Sequence, residues 1–120
     1  MLRSVMVKGM EALTVECFRA AARAGVAEEV ANSLDASEGG LGWAEQTAYN
    51  MERMTAHGIR RAAEMREVAK TLRGLDVAPV MTTGTISWEE EMGALDLSLD
   101  SGTPLAEQLT LIERALEKGE

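Results

Sequence analysis

Leu2, Val5, Met6, Met10, Leu13, Cys17, Phe18 and Ala21 recur at helical spacing from the start of the chain to Gly25. Together they spread around most of a helix's circumference. A helix that is apolar nearly all round needs other helices packed around it, which predicts an all-α bundle. The supply of core residues points the same way. Aromatic residues make up only 3% of the 120 positions, so Ala, Leu, Val and eight Met must fill the core. Those side chains favour helix over sheet.

The remaining segments follow helical punctuation. Gly25 predicts a left-handed cap for a first helix over about 2–24. A short second helix is expected from Ala27 to Ala36, followed by a linker from Ser37 to Gly42. Trp43, Thr47, Met51 and Met54 share a face of the next helix, with a break or kink expected at Gly58. That helix should resume with Ala62, Met65, Ala69 and Leu72 inward and stop at Gly74. Asp76 and Pro79 predict a capped start for a helix carrying Val80, Met81, Gly84, Trp88 and Met92. Gly84 among threonines suggests close packing against another backbone. Leu95, Leu97 and Leu99 alternate with polar residues as an extended segment would. Thr103-Pro104 reads as an N-cap and first helical position. Leu105, Leu109, Ile112 and Leu116 form the seam of a last helix docked on the body of the domain. The expected fold is therefore all-α, one domain of about six helices over 1–120.

A formal net charge of -8 argues against nucleic acid, whose phosphates demand a basic surface, and against an anionic membrane face. No apolar run approaches the roughly 20 residues that span a bilayer, and no signal peptide is evident, so the cytoplasm is the expected compartment. With one Cys and one His, no zinc site is expected. Cys17 lies in an apolar pattern and is expected as a buried thiol rather than a nucleophile. Gly39-Gly40-Leu41-Gly42 lacks both the spacing and the preceding strand of a phosphate-binding loop, and reads as a linker.

Two polar stripes interrupt the apolar pattern. His57, Arg60, Arg61 and Glu64 stand at i, i+3, i+4 and i+7 and project from one helical face. Cationic forks beside an imidazole and a carboxylate suit a small anionic substrate, and the alternative is a solvated face with an Arg60–Glu64 pair. Ser4, Lys8 and Glu11 form the second stripe. It is either the wall of a polar cleft or an edge with a weak Lys8–Glu11 pair.

The stretch from Met1 to Leu13, with His57-x-x-Arg60-Arg61-Ala62-x-Glu64-Met65-x-Glu67-Val68, resembles a known domain. It is similar to the helical C-terminal domain of the 6-phosphogluconate dehydrogenase-like, or β-hydroxyacid dehydrogenase, oxidoreductases. The resemblance spans nearly the whole chain. It implies a substrate-facing and dimerising domain, Ser4, Lys8, His57, Arg60, Arg61 and Glu64 as substrate-binding candidates, and a likeness to that family's C-terminal fold. It also implies NAD(P) as cofactor of the complete enzyme, bound by a Rossmann domain in cis or in trans. This chain has no Rossmann half, so it is expected to bind no cofactor and to be inactive alone. The family's catalytic lysine opens the first helix, with an asparagine four residues later. In one register Met1 follows the lysine position and Ser4 takes the asparagine position. In a shifted register Lys8 is the catalytic residue and Ala12 replaces the asparagine. The family's later Lys-Asp motif falls near 61–65, with Glu64 matching the aspartate. The competing reading is a non-catalytic helical module that pairs with itself through Met- and Leu-rich faces.

Overall fold

Gly25 takes φ 75°, and its N–H closes the first helix, α1 (Arg3–Ala24), on the carbonyls of Ala21 and Ala22. This is the left-handed stop that glycine makes without strain. The computed structural model describes residues 1–37, 42–100 and 102–118. Within them the chain is all-α, with five helices and no strand. After α1 come α2 (Ala27–Ser37), α3 (Trp43–Gly74), α4 (Val80–Gly93) and α5 (Leu105–Lys118). The expected linker through Gly39, Gly40 and Leu41 lies outside the described residues.

Five helices replace the expected six because α3 runs unbroken through Gly58. The glycine serves packing instead of a break. A Cβ on Gly58 would collide with the carbonyl oxygen of Glu89, and a Cβ on Gly93 would stand 2.6 Å from the Ile59 nitrogen. The two glycines let α3 and α4 cross with their backbones in contact. Gly84, the residue expected to make such an approach, has open space around it. Asp76 does not cap α4. It adopts φ 62° in the turn after α3, while Pro79 holds the position before Val80 without a side-chain cap.

The main core gathers Val15 and Phe18 from α1, Met51 and Met54 from α3, Met92 from α4, and Leu105, Leu109 and Ile112 from α5. The amphipathic last helix thus docks on the body of the domain, as its seam predicts. Leu95, Leu97 and Leu99 lie between α4 and α5 and pack on this core, but the chain turns at Leu95 and Asp96 takes φ 55°, so the expected extended run is interrupted at its start. A second cluster, Met65, Val68 and Leu72 with Val5 and Ile86, fastens the other end of α3 to α1 and α4.

One face of α1 departs from expectation. Its buried positions are Glu11, Ala12, Thr14, Val15, Phe18, Arg19 and Ala21, whereas Leu2, Met6, Met10 and Leu13 are exposed. Helices cover only one side of α1, so the apolar circumference is half open. Cys17 lies on this open side and is an exposed free thiol, not a buried one. Among the described residues no helix is long and apolar enough to cross a membrane.

Candidate functional site

Helices α1 and α3 pack side by side, and the contact between them is polar at its centre. Gln46 donates to the side-chain oxygen of Asn50 at 3.0 Å, and the amide of Asn50 donates to the Thr14 hydroxyl at 3.0 Å. Thr14 in turn donates to the carbonyl of Glu11 at 2.8 Å. The relay satisfies buried amide and hydroxyl groups that would otherwise cost free energy. It also fixes the turn of α1 that carries Glu11.

Glu11 faces Arg61. Nη1 of Arg61 donates to both carboxylate oxygens at 2.5 Å, and the side chains are only 13% and 6% exposed. A charge pair this buried holds its geometry tightly, because separating the partners would strand a desolvated charge. The pair lies at the edge of a cleft of about 380 Å³. Val7 and Met10 give the cleft an apolar wall, while Gln46 and Asn50 give it a polar one. Trp43 and Tyr49 complete it, and the indole Nε1 of Trp43 is buried with no hydrogen-bond partner.

Behind the pair stands Glu89 of α4, fully buried. Neither of its carboxyl oxygens finds a donor among the described residues. Burial first, and then the adjacent Glu11 carboxylate, push its pKa up to about 9, against the opposing pull of Arg61 and Lys8. A proton on Glu89 resolves the orphaned oxygens, since the neutral carboxyl becomes a donor and Glu11 accepts. At neutral pH the cluster therefore holds a neutral Glu89, a carboxylate on Glu11, and the cations of Arg61 and Lys8. It carries one net positive charge in a protein whose formal net charge is -8.

The six residues singled out from the sequence divide between this cluster and the surface. Arg61 reaches the centre of the site and lines the cleft. Lys8 is half-buried on α1, close enough to act on Glu89. Ser4 is half-buried one turn before Lys8, outside the cleft lining. Arg60 and Glu64 face solvent and pair with each other at 3.7 Å, the solvated arrangement weighed for this stripe. His57 is half-buried on α3. Loss of hydration and the nearby Arg53, Arg60 and Arg61 lower its pKa below 6.5 despite Glu52, so its imidazole is neutral at pH 7. The weak Lys8–Glu11 pair does not form, because Glu11 pairs across to Arg61.

Glu89 escaped the sequence reading, although a signal existed. Thr82, Thr85, Glu89 and Met92 are the buried face of α4, at i, i+3, i+7 and i+10. A carboxylate on the inward stripe of a helix demands a partner or a proton. Asn50 also escaped, since one polar residue between Met51 and Tyr49 carries no such mark.

Comparison with solved structures finds a close likeness to a conserved hypothetical protein from Sinorhizobium meliloti 1021. The two share 32% identity and a TM-score of 0.86, over 96% of this chain and 39% of that one. The chain thus spans about two-fifths of its solved relative's length. No curated protein matches it. Residues 21–92, more than half of the chain, match the family described as a domain of unknown function, DUF1932. They include α2, α3 and most of α4, and so the helices that carry Arg61 and Glu89. This chain belongs to the DUF1932 domain family.

Proposed function

We propose that this chain is the C-terminal, substrate-facing and dimerisation domain of an NAD(P)-dependent, 6-phosphogluconate dehydrogenase-like oxidoreductase of the cytoplasm. The observation that carries the reading is the cleft between α1 and α3, lined by Arg61, whose cluster with Lys8, Glu11 and Glu89 carries one net positive charge. Such a cleft suits a small hydroxyacid, whose carboxylate a guanidinium receives with two parallel hydrogen bonds. Family membership supports it, because domains of this type are found as helical C-terminal domains of NAD(P)-binding dehydrogenase-like proteins. The longer solved relative leaves room for a cofactor domain.

The described residues contain no strand leading through glycines into a helix, the arrangement that receives a dinucleotide pyrophosphate. They do not fit the cofactor, so the reading assigns NAD(P) to a Rossmann domain in cis or in trans. Ser4, Lys8 and His57 stand outside the cleft lining, and the reading gives Lys8 a part through the charge of the cluster and Ser4 and His57 a part only against that second domain. Arg60 and Glu64, which pair in solvent, would join the site only against that same domain.

Calorimetry of the 120-residue chain with NAD and NADP should show no micromolar binding. The gene product in its natural reading frame should reduce one of the two with a small hydroxyacid, and Arg61→Lys should raise KM several-fold because the fork is lost. A natural product without NAD(P) binding would overturn the assignment. The second reading, a non-catalytic homodimeric interaction module, draws on the open apolar side of α1.

A further inference from the structure

Arg61 gives both contacts of its Nη1 to Glu11, yet it also lines the cleft. A carboxylate from the protein therefore already sits where a ligand carboxylate would bind. Exchange of one for the other keeps Arg61 paired throughout, and it leaves Glu11 as the group to be rehoused. Its surroundings are built for that. Glu89 stands against it and already holds it through the proton of its neutral carboxyl, and Lys8 supplies a cation near enough to act on Glu89.

We propose that Glu11 stands in for the ligand: a small carboxylate entering the cleft takes its place on Arg61, and the released Glu11 is received by Glu89 and Lys8. The inference rests on the reading of this cleft as a substrate site and adds the internal competitor that sets its affinity. The charge balance favours it. With Glu89 neutral, the four side chains Lys8, Glu11, Arg61 and Glu89 carry one positive charge, and one bound carboxylate brings the site to zero. Through the exchange Glu11 and Glu89 keep one proton between two carboxyls, so only one negative charge remains on the pair, opposite Lys8. These are the charged groups that face Glu89 from the helices packed on it, Lys8 and Glu11 from α1 and Arg61 from α3. The neighbouring Glu90 and Glu91 are engaged elsewhere, with Arg66 and Arg19. Above the pKa of about 9, Glu89 loses its proton, the cluster becomes neutral, and the released Glu11 has no carboxyl to receive it. Anion binding should then fail.

The test is a titration of the 120-residue chain with D-glycerate, read by NMR at the Arg61 Nε–H and at the side-chain carboxyl carbon of Glu11. Both signals should move together at pH 7, and the affinity should fall at least tenfold by pH 10. Glu11→Gln should bind D-glycerate about tenfold more tightly, and Glu89→Gln should lose the fall at high pH. An Arg61 signal that saturates while the Glu11 carbon stays still overturns the stand-in role and needs no variant. Weaker binding by Arg61→Lys with no change in Glu11→Gln removes the stand-in role alone. If Arg61→Lys titrates like the unaltered chain, or if neither the chain nor Glu11→Gln binds, the substrate-site reading falls with it.

Discussion

Gly58 of α3 and Gly93 of α4 meet backbone to backbone, each filling the space that the other's Cβ would need. The contact sets how deeply α4 seats against α3, and Glu89 lies one helical turn before Gly93. The glycine crossing is thus what carries the Glu89 carboxyl to Glu11 and Arg61. A larger residue at either position would lift α4 and draw Glu89 away from the cluster.

Gly58→Ala should therefore be strongly destabilising, although alanine is the better helix former by about 1 kcal/mol. Backbone cannot move aside as a flexible side chain can, so the loss should be about 3 kcal/mol or more by urea unfolding. Gly93→Ala should behave alike. Gly84→Ala is the control: it meets open space within a helix, and should stabilise the protein by up to about 1 kcal/mol. Equal effects at all three positions would remove the crossing as the cause.

A buried carboxyl with a raised pKa makes stability depend on pH. Glu89 binds a proton in the folded protein up to about pH 9, but loses it near its ordinary value of 4.5 when unfolded. Between those values the folded state holds more protons than the unfolded one, so stability falls as pH rises. The contribution is complete below pH 4.5 and lost once pH passes about 9. The slope from one proton is at most about 1.4 kcal/mol per pH unit. Glu89→Gln keeps the donor and removes the titration, so urea unfolding from pH 5 to 9 should show a flatter profile. The variant should gain on the unaltered protein as pH rises. Parallel profiles for the two would show that Glu89 does not hold the proton.

Adjacent arginines should differ sharply. Arg60 is exposed and pairs only with Glu64, and surface pairs of that kind contribute about 0–1 kcal/mol. Arg61 closes a buried pair, and its removal, with no ligand carboxylate in exchange, takes the guanidinium from both oxygens of Glu11 and leaves a gap in the packing. Arg61→Ala should cost about 3–5 kcal/mol, whereas Arg60→Ala should stay within about 0.5 kcal/mol of the unaltered protein. Denaturant midpoints of the two variants decide the matter. A mild Arg61→Ala would mean that water reaches Glu11 freely.

The helices were legible because their signals are local. Periodicity identified the inward faces at Ala62, Met65, Ala69 and Leu72, and the seam of α5, and Gly25 marked its cap. What escaped depends on partners far along the chain. Gly58 looks like a helix breaker until Gly93, 35 residues later, is seen against it. Cys17, Met6 and Leu13 look like core until the neighbours of α1 prove to lie on one side only. The polar stripes were visible, but spacing cannot tell that Arg61 turns inward to Glu11 while Arg60, one residue before it, pairs in solvent.

The open side of α1 carries the last prediction. Leu2, Met6 and Leu13 are each at least half exposed, and Val80 and Met81 at the start of α4 are 72% and 67% exposed beside them. Leu13, Val80 and Met81 line one shallow pocket, which joins the two helices into a single apolar surface. A monomer would leave that surface in water, where each half-exposed apolar side chain forgoes about half or more of the roughly 1.5–3 kcal/mol that full burial gives. A self-associated chain covers it, and a stable interface of this kind should bury more than about 1,200 Å² in total. Light scattering at high protein concentration should therefore report a dimer. Met6→Glu with Leu13→Glu should convert it to a monomer with its helical circular dichroism intact, because neither side chain belongs to either core cluster. A monomer before substitution, or a dimer that survives both glutamates, would remove this face as the dimer contact.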